Sequence, residues 1–142
     1  MSSRKIDVRL PDQLIDELVK RERPGFRGSM SAAVRESLER YFAIIQDGRR
    51  SIRDRFDECD CANLLSLSNG TVTDSSSLRG LLWNAQDAAD EDVPYPDALP
   101  ELRDKLAQLN IAEHAALVDA CERWWDVHAR GVRMEPSALL SL

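Results

Sequence analysis

The sequence predicts a mainly α protein: an N-terminal unit of one strand and two helices whose strand pairs across a dimer, followed by a small all-α domain of about four helices. Three observations predict it. Residues 5–10 alternate polar and apolar, which is strand period. Nearly everything after them repeats apolar residues at helical spacing. Finally, 43% hydrophobic and 31% charged residues can bury a core, while no stretch approaches the roughly 18 uncharged apolar residues of a membrane helix.

The run Lys5-Ile6-Asp7-Val8-Arg9-Leu10 places Ile6, Val8 and Leu10 on one face and Lys5, Asp7 and Arg9 on the other. Pro11 cannot donate to a ladder and ends the run, and Asp12 is placed to accept from the free amides of a following helix. Leu14, Ile15, Leu18 and Val19 form the apolar stripe of that helix, which ends before Pro24. Pro24-Gly25-Phe26-Arg27-Gly28 reads as a turn, and Ser29 or Ser31 can cap the next helix. Val34, Leu38, Tyr41, Phe42 and Ile45 mark this second helix, which stops near Asp47-Gly48. A unit of about 45 residues with a lone strand has no partner for that strand and too little core, so the reading requires a second copy. This sets domain boundaries at residues 1–47 and 48–142.

Beyond Gly48 the stripes are Ile52, Phe56, Cys59 and Leu64 to Leu67, then Leu78, Leu81, Leu82 and Ala85. Residues 90–100, with three prolines and four acids, are expected to be an extended, solvated loop. Leu99, Leu102, Leu106 and Leu109 resume helical spacing, and Leu117, Cys121, Trp124, Trp125 and His128 mark a last helix that Gly131 can cap. The tail from Met134 to Leu142 is either docked or loose.

Charge decides where a polyanion could approach. Residues 1–56 hold 13 of the 19 Lys/Arg and 9 of the 25 Asp/Glu, a net of +4, whereas residues 57–142 carry a net of −10. The overall charge of −6 argues against indiscriminate nucleic-acid binding, and a nucleic-acid site, if there is one, is N-terminal.

The alternating run Arg4 to Pro11, the helix over residues 12–23, the turn Gly28-Ser29-Met30-Ser31 and the helix through Val34, Leu38 and Tyr41 resemble the ribbon-helix-helix DNA-binding superfamily of the MetJ, Arc and CopG repressors. The resemblance covers residues 4–45. It implies a homodimer whose two-stranded ribbon enters the major groove of double-stranded DNA. Lys5, Asp7 and Arg9 would then contact bases. Lysine and arginine donate to guanine, and Asp7 either accepts from cytosine or orients Lys5 and Arg9. The phosphate-contacting turn maps onto Gly28, Ser29, Met30 and Ser31 at a helix N-terminus, with Arg4 and Arg27 as electrostatic helpers.

The expected function is a sequence-specific transcriptional regulator, a repressor that excludes polymerase from an occupied operator. Two alternatives stand beside it: an antitoxin that represses its own operon while its C-terminal part masks a toxin, and a dimeric adaptor that never touches DNA. The C-terminal domain could join dimers into tetramers on adjacent sites or bind a protein partner. No nucleotide-binding or hydrolase motif is present, so no catalytic apparatus and no cofactor are expected. Cys59-x-Cys61, Cys121, His114 and His128 are metal-type residues, but their spacing favours core packing over a metal site. The N-terminus has no apolar signal-peptide run, which predicts a cytoplasmic, nucleoid-associated chain with reduced thiols.

Overall fold

The computed structural model describes residues 4–20, 30–69 and 78–141, and the chain divides into two compact units, Met1–Phe42 and Ala43–Leu142. In the first unit, residues 4–11 precede helix α1 (Asp12–Lys20), and helix α2 (Met30–Ile52) begins after an interval outside the described residues. The boundary between units falls within α2.

The strand expected at residues 5–10 is not there. Among the described residues there is no strand and no sheet and all regular structure is helical, so the strand-plus-two-helices unit is corrected to an irregular segment leading into helices. The alternation is real in the sequence, but a strand exists only as part of a ladder, and nothing among the described residues pairs with this segment. Helix α1 starts at Asp12, with the Pro11 carbonyl accepting from the amides of Leu14 and Ile15 at 2.9 and 3.2 Å. It buries none of its residues, and Ala33 is the one buried apolar side chain among the described residues of the first unit.

The second unit has the core. The end of α2 joins α3 (Glu58–Ser68), α4 (Gly80–Asp87), α5 (Leu99–Ala107) and α6 (Ile111–Ala129). Leu64, Leu81, Leu99, Leu102, Leu106 and Leu117 are fully buried. Two helix starts carry reciprocal caps: Asp57 with Asp60 for α3, and Asn110 with Glu113 for α6. Each satisfies two otherwise orphaned amides. Gly131, at φ 84°, ends α6: its amide reaches the His128 carbonyl, and that of Val132 reaches the Val127 carbonyl. This is the paired closure that a left-handed residue after a helix makes possible. The tail docks: Pro136–Ser141 forms a 3-10 segment that buries Leu139 and Leu140 against α3 and α6.

Two further expectations change. Helix α2 does not stop near Gly48 but continues to Ile52, and Gly48 lies against α6, where a Cβ would lie 2.5 Å from the Ala112 carbonyl oxygen. Residues 90–100 are largely solvated, as expected, but not extended: they form two 3-10 turns, Asp90–Asp92 and Pro96–Ala98, and lead into α5, with Val93 and Leu99 buried. Asn63, buried in α3, clamps this segment through its side-chain amide, donating to the Tyr95 carbonyl and accepting from the Tyr95 amide, both at 2.9 Å.

Buried charge in this unit is matched. Lys105 contacts Asp60 at 2.5 Å, Arg49 contacts Asp119 at 2.9 Å, and Glu113 accepts from Ser51 at 2.6 Å and from Arg55 at 2.9 Å. Burial alone would push the Glu113 pKa up, but the Ser51 hydroxyl, the Asn110 amide and Arg55 outweigh it and hold the carboxyl below its ordinary value. The His114 pKa is lowered as well, which for a base disfavours the charged form: burial, assisted by the positive charge of Arg79, outweighs the pull of Glu113 and depresses it below the ordinary 6.5. The unfolded imidazole therefore takes up a proton that the folded one resists. Its contribution to stability is complete above pH 6.5 and declines as pH falls below that value. Urea midpoints should fall as the pH is lowered below 6.5, and His114→Gln should flatten that part of the profile.

Candidate nucleic-acid interface

Arg4, Lys5, Asp7 and Arg9 are all exposed on the segment before α1, and among the described residues none of them is in an ion pair. Asp7 is thus not bonded to Lys5 or Arg9. The cations lie on a short stretch of chain free of helix, so their long side chains are available to phosphate oxygens and base edges.

At the start of α2, Met30 is half-buried and Ser31 is exposed in the first turn, which contains no acidic side chain. An anion at that helix end therefore meets no carboxylate from the turn itself. Arg27, Gly28 and Ser29 lie outside the described residues.

The same unit leaves its apolar side chains in water. Ile6 is 77% exposed and Val8 65%, and Leu14, Ile15, Val19, Leu38, Tyr41 and Phe42 are exposed as well. Tyr41 and Phe42 meet edge to face at 5.4 Å. Basic and apolar side chains thus share one small unit in which, among the described residues, only Ala33 is a buried apolar side chain.

The metal-type residues in the second unit do different work. Cys121 and Cys61 are buried, and burial pushes their thiols up to about 12 and about 11, so both remain protonated at neutral pH and poor as ligands or nucleophiles. Trp124 is buried and Trp125 half-buried, its Nε1 donating to Ser68 at 3.0 Å. His128, expected on the buried stripe, is exposed. Sequence reasoning missed one feature of this unit, a cavity of about 370 Å³ lined by Trp124, His128, Arg133, Met134 and Glu135. Its sole sequence signal is the pair of opposite charges flanking Met134 just past the Gly131 turn.

The chain matches no protein-family model, no curated protein and no solved structure.

Proposed function

We propose that this protein is a homodimeric, sequence-specific DNA-binding regulator of transcription, a repressor whose N-terminal unit holds the duplex. The observation that carries the reading is the set of exposed cations Arg4, Lys5 and Arg9, in no ion pair among the described residues, at the basic end of a chain that is otherwise strongly acidic. The acidic remainder is repelled by DNA, which orients the chain with its basic end toward the duplex. Lys5 and Arg9 donate to guanine O6 and N7, Asp7 accepts from cytosine, and the start of α2 with Ser31 takes a phosphate. None of this requires residues 4–10 to be a strand.

Dimerisation is supported by the uncovered apolar surface. Eight large apolar side chains of this unit, from Ile15 at 37% to Ile6 at 77% exposed, stand in water where a second copy could cover them. The folded core and docked tail of Ala43–Leu142 favour a repressor over an antitoxin sleeve that orders only on binding its toxin. The experiment is selection of random-sequence duplexes by the full chain. A bound pool that converges on one sequence is the expected result, and a pool that stays random overturns base readout.

A further inference from the structure

We infer that the second unit has a binding site for a small zwitterion, an apolar α-amino acid, in the cavity between the end of α6 and the segment after it. The site stands apart from the DNA reading, since every group in it belongs to Ala43–Leu142. Its walls come from two stretches that the Gly131 turn brings face to face. Trp124 and His128, one helical turn apart on α6, stack at 5.0 Å with their rings 12° from parallel. Arg133, Met134 and Glu135 line the other side.

The chemistry of the lining selects the ligand. Arg133 and Glu135 are exposed and, among the described residues, form no ion pair with each other or with anything else. A guanidinium and a carboxyl group therefore line the same cavity with no ion-pair partner among the described residues. Trp124 supplies an aromatic wall, is only 7% exposed, and keeps its Nε1 without a hydrogen-bond partner among the described residues. Met134 packs its flexible thioether against the core.

A ligand carrying a carboxylate and an ammonium satisfies both charges at once. Arg133 takes the carboxylate as a planar fork, Glu135 takes the ammonium, and the apolar side chain lies on Trp124 and Met134. A volume of about 370 Å³ is at the small end for ligand pockets and admits a single amino acid. A polyphosphate does not fit, because one guanidinium cannot balance it among residues 57–142, whose net charge is −10.

The test uses the full chain and L-phenylalanine, with binding measured by calorimetry and by tryptophan fluorescence. Saturable binding is expected in the range of about 0.1 to 1 mM, with phenylacetate and phenethylamine each at least about tenfold weaker because each lacks one charge. Arg133→Gln and Glu135→Gln should each weaken binding about tenfold while leaving the circular dichroism and thermal midpoint unchanged, since neither side chain holds an ion-pair partner among the described residues. Absence of binding at about 10 mM, phenylacetate binding as well as phenylalanine, or variants with wild-type affinity would each overturn the proposal.

Discussion

Replacing Lys5 and Arg9 together by alanine should lower the affinity of the full chain for its selected duplex by at least about 1,000-fold, since the dimer loses four base contacts worth roughly 1 to 3 kcal/mol each. Both side chains are exposed and, among the described residues, free of ion pairs, so their removal costs the fold nothing that the structure identifies. The double variant should therefore keep its helicity and its oligomeric state. That combination separates readout from folding: loss of specific binding with an intact dimer is the expected result. Full affinity in the double variant would show that these side chains do not read the duplex. Asp7→Ala serves as an internal contrast, because removal of a carboxylate relaxes base preference at one position and reduces repulsion from phosphates.

The second large effect is on stability, at Gly48. A Cβ there would lie 2.5 Å from the Ala112 carbonyl oxygen and 2.9 Å from the Ala116 Cβ, contacts that neither the α6 backbone nor a methyl group can yield cheaply. In an exposed helix the change from glycine to alanine stabilises by about 1 kcal/mol. Here that gain is overridden by overpacking of roughly 1 to 3 kcal/mol, so Gly48→Ala should be destabilising. Gly48→Leu should cost about 3 kcal/mol and lower the thermal midpoint by more than about 10 °C. The sign for alanine is the decisive observation: a rise in midpoint would mean that α2 and α6 do not approach at this residue.

Gly48 also shows where the sequence stops being legible. Its local signal, glycine after aspartate at the end of an apolar stripe, is that of a helix terminus. The reason for glycine is tertiary, a close crossing with α6 that no local pattern encodes. Residues 90–100 fail for a related reason. Prolines and acids read as coil, but Pro96 and Pro100 occupy the first turns of helical segments, where proline is well suited, and the buried Asn63 supplies the clamp from 32 residues away. By contrast, Leu99, Leu102 and Leu106 and the stripe from Leu117 to Trp124 were readable because burial on one face imposes its period directly.

The N-terminal segment is the inverse case. Its alternation is plain in the sequence, yet alternation specifies which side chains would share a face, whereas a ladder requires a second backbone that the described residues do not supply. Lys5, Asp7 and Arg9 are exposed as expected, whereas Ile6 and Val8, expected on the buried face of a strand, are exposed as well in a unit too small to cover them. The cavity at Trp124 was beyond reach, because Arg133, Met134 and Glu135 follow no period and meet α6 only through the reversal at Gly131.

The central claim, that cations of the N-terminal unit hold DNA, is tested most directly by the affinity of the full chain for its selected duplex as salt is raised. With about three phosphate contacts per protomer of a dimer, affinity should fall linearly on a log-log plot with a slope near about −5. A flat response, or affinity that rises with salt, would contradict it.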